Sequence, residues 1–477
     1  MDLFLLYFFF FKLGNFKKEL ILHILIFSIL IIFILVGKNH DDFPYYHFPY
    51  SHFLTQYSHP LGFGQLNNGF RNPSSLFFLN SLFYLPKISF YLFHVAPAYF
   101  LGFSNLILIE IIFGKKIYNS QKFINFLSIL SLIFINIFFY RLAEHGTDRS
   151  GQILVFILTI IILLITNNSK NVNKINNTFY IYFIPILLTL LISLKPFYLI
   201  YAPIVLILLV SPHLKSFIKK ILFSKTFIYS ALYIFFVFLY NFLNSGCIVY
   251  PALFSCFSNL PWSFETEVIK DVNQWYELWS KAGARPDFVV ENRAEYIANF
   301  NWLSGWIDNY FFNKVSDYLL GLTFLVFVVF LTFYRKSLKK NINQIKINYK
   351  LVYIFIFLCF IEWFLKHPAL RYGGYQIIAL LFFIPTSIYF NNFEINFKDF
   401  RKKSIILLSI TLIIFFSRNI NRLINENNQY KYNPINNTKF NFNDEKFYFR
   451  YNEHMNKYQE KYLKLEFLGK NFIIIKE

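Results

Sequence analysis

Apolar residues in this chain come in long blocks, not in the alternating or half-face patterns of soluble domains. A helix needs roughly 17–25 mainly apolar residues to cross a hydrocarbon core of about 30 Å. Eleven blocks approach that length: about 20–36, 90–113, 123–140, 152–166, 179–194, 197–211, 226–243, 318–334, 350–365, 374–390 and 404–417. The fourth, sixth and eleventh are the shortest. Another apolar stretch, Leu3 to Phe11, is too short to cross and reads as lying at the interface. The pattern predicts an all-α polytopic membrane protein with about 11 transmembrane helices over residues 1–417. Two long loops, about 37–89 and 244–317, interrupt the blocks. A small C-terminal appendage follows over 418–477, where the run Asn471 to Ile475 predicts one strand.

Composition narrows the class. Of 477 residues 56% are hydrophobic and only 15% charged, whereas ordinary soluble domains carry roughly 25% charged residues. The 66 Phe exclude a disordered chain, and 3 Cys are too few to staple one this long. Lys17 and Lys18 precede the first block and no small-residue cleavage site follows it, so it reads as an uncleaved anchor.

The net charge of +20 is largely a matter of topology. With the N-terminus in the cytoplasm, 22 of the 46 basic residues fall in cytoplasmic segments, 13 on the opposite side and 11 in the tail. The outer segments hold 14 of the 26 acidic residues. Nucleic acid therefore drops out as a partner, and the bilayer takes its place. An odd number of crossings puts the tail outside, which in a bacterial inner membrane is the periplasm.

The chemistry is expected on the outer side, where the long loops and most acids lie. Asp41 and Asp42 emerge just beyond the first block, and adjacent carboxylates repel, which raises one pKa and offers a base. Such a base could take a proton from an acceptor hydroxyl. The second outer loop packs Arg141, Glu144, His145, Asp148 and Arg149 together; Asp148 is the candidate site residue, with Glu144 and Arg149 read as structural. A departing phosphate needs positive charge. Arg71, Lys195 (followed by Pro196) and Arg371 (beside Gly373 and Gly374) are the candidates, each also able to snorkel to headgroup phosphates. His40 and His47, with the two Asp, are residue types that hold a divalent metal, but their spacing matches no closed zinc pattern. No cofactor is assigned, and a divalent metal stays open. Cys247 and Cys256 lie in one outer loop and are a disulfide candidate in an oxidising compartment.

An Asp-Asp pair directly after the first span resembles the GT-C fold class of membrane glycosyltransferases, which includes protein O-mannosyltransferases and lipid A aminoarabinose transferases. Three further segments look like an uncharacterised bacterial membrane-protein group within that superfamily. They are His145-Gly146-Thr147-Asp148-Arg149-Ser150-Gly151-Gln152, Ser245-Gly246-Cys247-Ile248-Val249-Tyr250-Pro251 and Lys366-His367-Pro368-Ala369-Leu370-Arg371-Tyr372-Gly373. The resemblance implies a GT-C-like domain with interfacial helices in the first outer loop, one of them over Ser74 to Pro86. It implies a polyprenyl-phosphate sugar as donor and a glycan, lipid or protein of the cell envelope as acceptor. Asp41 or Asp42 would be the base, with Asp148 beside it. His367 joins Arg71, Lys195 and Arg371 as substrate-binding candidates. Two alternatives stay open. A polymerase or ligase of O-antigen type would depend on outer-loop Arg and His. A transporter would need ionisable residues near mid-membrane, and the spans hold almost none.

Overall fold

The computed structural model of the protein describes residues 16–35, 42–87, 92–93, 95–142, 146–167, 177–210, 221–284, 290–334, 349–430, 444–467 and 470–475. It is an all-α membrane protein: among the described residues six helices are long and apolar enough to cross a bilayer. These are Val95–Phe113, Lys115–Phe138, Gly146–Asn167, Lys225–Ser245, Leu303–Phe333 and Phe397–Asn425. The other apolar blocks are helical too, at Phe16–Leu30, Asn177–Leu194, Pro196–Val210, Lys350–Lys366 and Gly374–Phe390.

The three shortest blocks each differ from the sequence expectation. The fourth extends toward its N-terminus to Gly146, through a stretch whose polar Thr147, Asp148 and Ser150 are buried and so invisible to a hydropathy count. The eleventh continues as helix to Tyr430, well past the apolar run that ends at 417. The sixth is a 3-10 helix over the 15 residues Pro196–Val210. At a rise of about 2.0 Å per residue it extends roughly 30 Å, where an α-helix of that length would fall short.

Burial sorts the helices into centre and rim. Gly146–Asn167 is apolar nearly all round and 94% of its apolar window is buried, as expected of a helix enclosed by others. Lys225–Ser245 is equally apolar but only 11% buried, so its side chains face lipid. Amides join the central helices. Asn105 and Asn136 donate to each other at 3.0 and 2.8 Å, and Asn125 donates to the Ile111 carbonyl at 2.6 Å. Inside an apolar bundle such bonds fix which helices pair.

The connections gather at two opposite faces. On one face Tyr118 donates to the Ile395 carbonyl at 2.6 Å and Lys122 to that of Phe393 at 2.5 Å. On the other lie both long loops. The first loop holds the short helices Phe43–His47, Phe48–Gln56 and Ser75–Leu82 around buried Phe43, Phe48, Tyr50, Phe63, Phe70 and Phe77. Ser74 caps Ser75–Leu82 by accepting from the Leu76 N–H at 3.3 Å, so the expected interfacial helix ends four residues short of Pro86.

The tail folds back onto that first loop. After Phe397–Tyr430 comes a helix, Asp444–Lys461, then an antiparallel hairpin of strands Tyr462–Phe467 and Lys470–Ile475. The second strand is gripped by Leu61: the Leu61 N–H donates to the Ile473 carbonyl and the Ile475 N–H to the Leu61 carbonyl, both at 2.9 Å. Tyr451 stands edge-on to His52, with ring centroids 4.5 Å apart.

Candidate functional site

Four chain junctions meet on the face of the long loops, and each delivers one charged side chain. Asp42 precedes the first short helix of the first loop, Asp148 lies in the first turn of Gly146–Asn167, Lys195 follows Asn177–Leu194, and Arg371 sits in the turn Leu370–Tyr372. Lys195 Nζ donates to Asp148 Oδ1 at 2.6 Å. Arg371 bridges both acids, its Nε donating to Asp148 Oδ2 at 2.6 Å and its Nη2 to Asp42 Oδ2 at 2.5 Å. Only the planar fork of Arg can hold two carboxylates this way, because Lys offers one point charge.

The two acids differ. Asp148 is 7% exposed and holds two cations, whereas Asp42 is 23% exposed. Asp42 occupies the N-cap of Phe43–His47 without capping it, which leaves its carboxylate to the cluster. Burial works against the Arg371 charge, but Asp148, Tyr46 and Asp42 outweigh it and raise its pKa, so the guanidinium stays protonated. Burial first, and then the Asp42 charge, push the Tyr46 hydroxyl well above its usual pKa.

The turn that carries Arg371 is clamped at nearly every peptide. Trp306 Nε1 donates to the Pro368 carbonyl at 2.8 Å, Trp363 Nε1 to Ala369 at 2.9 Å and Gln152 Nε2 to Arg371 at 2.8 Å. The Leu370 N–H donates to Tyr310 Oη at 2.8 Å. Gly373, at φ +104°, makes the reversal that a side chain would strain. Asp148 is held from below: Tyr198 Oη donates to its carbonyl at 2.8 Å. That approach needs Gly151, where an added Cβ would lie 2.2 Å from the Tyr198 ring. A site residue on a support this rigid is positioned before any ligand arrives.

Beside the cluster opens a cavity of about 270 Å³, near the lower end of small-ligand pockets at roughly 300–1,000 Å³. Lys195 of the cluster lines it, together with His367, Tyr372, Tyr250, Tyr276, Asn72 and Asn273, and the Tyr276 and Tyr372 ring centres are 6.4 Å apart. Lys195 Nζ also stands 5.1 Å from the Tyr372 ring centre. Burial lowers the His367 pKa to about 4, so its imidazole is neutral at pH 7. Burial likewise pushes the Tyr250 hydroxyl up to about 12, against the pull of Arg71. The cavity thus offers phenols, amides, a neutral imidazole and one ammonium, a donor set suited to a polyhydroxylated or phosphorylated ligand.

Of the residues singled out from the sequence, Asp42, Asp148, Lys195 and Arg371 come together, and His367 lines the adjoining cavity. Arg71 does not join them. Its guanidinium stands 4.5 Å from the Phe264 ring centre and 3.5 Å from Oη of Tyr250, a residue of the cavity lining. Arg149 turns away, donating to the Phe138 carbonyl at 3.1 Å. His47 is buried against Tyr46 and Phe77, at 4.4 and 5.2 Å between ring centres. Among the described residues no three of His, Cys, Asp and Glu come together as a metal would require. Asp41, His40, Glu144 and His145 lie outside the described residues. Cys247 and Cys256 are joined as a disulfide. Sequence reasoning missed the supports: Tyr198, Gln152, Trp306, Trp363 and Tyr310. The one signal in the sequence is for Trp306, which belongs to a group of five Trp crowded into the second long loop.

The model of a family described as a domain of unknown function, DUF8201, matches residues 3–378. All four cluster residues and the cavity lie within the matched segment, and the last helix and the tail lie beyond it. No curated protein and no solved structure matches the chain.

Proposed function

Since the chain belongs to the DUF8201 family, which carries no assigned activity, we propose its activity from the site: it is an integral membrane glycosyltransferase. It moves a sugar from a polyprenyl-phosphate donor to a cell-envelope acceptor at the outer membrane face. The observation that carries this reading is the meeting of two carboxylates and two cations beside one cavity.

In this reading Asp42, the more open carboxylate, takes the proton of the acceptor hydroxyl as its oxygen bonds to the anomeric carbon. The bond from that carbon to the phosphate oxygen breaks, the configuration inverts, and the phosphate leaves with the electron pair. Lys195 faces the cavity and is 29% exposed, so its ammonium can receive the developing negative charge while Asp148 holds it. Arg371 orients Asp42. Asp148 is then a positioning residue for both cations, and Tyr250, Tyr276 and the amides meet sugar hydroxyls.

The topology belongs to the same proposal. The chain crosses eleven times, with the N-terminus in the cytoplasm and the tail in the periplasm of a bacterial inner membrane. In support, an even number of apolar helices separates each pair among Asp42, Asp148, Lys195 and Arg371, and the tail meets the same face as the first loop. GT-C membership rests on the resemblance alone.

The test is a panel of polyprenyl-phosphate sugars incubated with the purified protein in proteoliposomes. One donor should be consumed with release of polyprenyl phosphate, and Asp42→Asn should slow this by about 10²–10⁴-fold. No turnover of any donor by the unaltered protein would end the reading. Full activity in Asp42→Asn with none in Arg371→Ala would instead favour a polymerase or ligase of O-antigen type.

A further inference from the structure

From Thr226 to Phe264 the chain carries no Asp, Glu, Lys or Arg. The first part of this stretch is the helix Lys225–Ser245, the most lipid-exposed of the long helices. Ile228, Tyr229, Leu232, Phe235 and Phe236 along it are each more than half exposed. The second part is the loop closed by Cys247–Cys256, and it goes on presenting apolar side chains outward. Phe254 at its tip is 92% exposed and Phe257 53%. Ile248 and Leu253, at 37% and 38%, flank them.

The loop does not rise away from the helix. Asn241, about one turn in from the helix end, donates from Nδ2 to the Ile248 carbonyl at 3.2 Å. The Phe257 N–H donates to the Gly246 carbonyl at 3.0 Å, and the Phe257 ring lies 5.7 Å from that of Phe242. The loop backbone therefore sits level with the last turn of a lipid-facing helix, which is the depth of the headgroup and acyl boundary. Its polar groups are also occupied from within. The Ile248 N–H donates to the Ser255 carbonyl at 3.0 Å and that of Val249 to Ser255 Oγ at the same distance, while Ser255 Oγ donates to the Val249 carbonyl at 2.9 Å. Backbone placed where water is scarce needs such internal partners.

We propose that the disulfide-closed loop 247–256 is a membrane anchor, with Phe254 and its apolar neighbours inserted into the outer leaflet at the headgroup boundary. The occupant of this surface is the bilayer itself, continuous with the lipid that covers Lys225–Ser245. The opposite side of the same loop, Val249 to Ala252, lines the cavity, and Asn273 holds the Pro251 carbonyl at 2.7 Å. The anchor thus sets one wall of the cavity at the membrane surface, within reach of an amphiphile. The inference rests on the membrane fold and not on glycosyl transfer, so either can fail alone.

The test places a fluorophore at the tip with Phe254→Trp, a change at a side chain with almost no protein neighbours. The variant is reconstituted in phosphatidylcholine vesicles with acyl chains brominated at shallow or deep positions, and the wild-type emission of its six Trp is subtracted. The added emission should be blue-shifted and quenched most by shallow bromines. Water-like emission that no brominated lipid quenches would overturn the proposal. Blue-shifted emission that ignores bromines but grows with protein density would also overturn it, assigning the tip to contact between copies. Strongest quenching by deep bromines would overturn the boundary placement.

Discussion

Arg371 and Lys281 are both cations held by carboxylates on the same face of the protein, yet their surroundings differ. Lys281 is 3% exposed and every direction around its ammonium is taken: Glu277 Oε1 at 2.6 Å, the Ile297 carbonyl at 2.9 Å and the Trp302 ring centre at 5.2 Å. Lys366, 3.5 Å from Glu277, supplies a second cation. That cluster ties the helix Thr266–Lys281 to its neighbours; Lys366 reaches solvent, at 58% exposure, but none of the three charged groups lines the cavity. The Arg371 cluster is tied as tightly, but Lys195 and Arg371 are 29% and 34% exposed beside a cavity. Pairing alone therefore does not mark a site. What does is paired charge left partly open on a rigid frame, next to space for a ligand.

Replacing the two cations should separate these roles. Arg371→Ala removes the cation that bridges Asp42 and Asp148 and should cost about 3–5 kcal/mol as well as all activity. Arg371→Lys should restore part of the stability and little activity, since an ammonium lacks the planar fork whose Nε and Nη2 hold Asp148 and Asp42 in fixed directions. Lys281→Met should cost about 1–3 kcal/mol, from the stranded Ile297 carbonyl and Glu277, with activity per folded molecule unchanged. Thermal unfolding in detergent and turnover in vesicles, measured on the same preparations, check both. Equal losses of activity in Lys281→Met and Arg371→Ala would erase the distinction.

A smaller, pH-dependent effect should come from buried histidines. Burial lowers the pKa of His59 to about 3 and of His52 to about 4 in the first loop, and of His367 to about 4 on the cavity wall, from the usual 6.5. The unfolded chain then binds protons more readily than the folded one. Stability should be flat above about pH 6.5 and fall as pH drops toward 4, by up to about 1.4 kcal/mol per pH unit for each histidine. Unfolding midpoints from pH 7.5 to 4.5 check this, and His52→Phe should flatten the slope. The Lys281 ammonium adds to the lowering of the His367 pKa but not to that of His52 or His59, so Lys281→Met should make the slope only slightly shallower, through His367 alone.

Much of the architecture was legible because transfer from water into lipid dominates every other signal in runs such as 95–113 and 374–390. The helix ends were not. Asp148 reads as loop because it is charged, although Lys195 and Arg371 pair it inside the protein. The charged residues of the site could be picked out because charge is rare among these helices and clusters at chain junctions. Arg71 stood out for the same reason; it lies apart from the cluster, against the Phe264 ring and beside Tyr250 of the cavity lining. The roles of Trp306 and Trp363 were not legible, because they act on the backbone carbonyls of Pro368 and Ala369, 62 and 6 residues away, and no pattern announces a bond to a carbonyl.

The central claim is that the open cluster around Asp42 makes envelope glycan. The most direct measurement is the surface glycan composition of cells whose own copy carries Asp42→Asn, beside cells carrying Lys281→Met, at matched protein levels in the membrane. The account predicts a missing or truncated glycan in the first and an unchanged profile in the second. An unchanged profile in Asp42→Asn would contradict it.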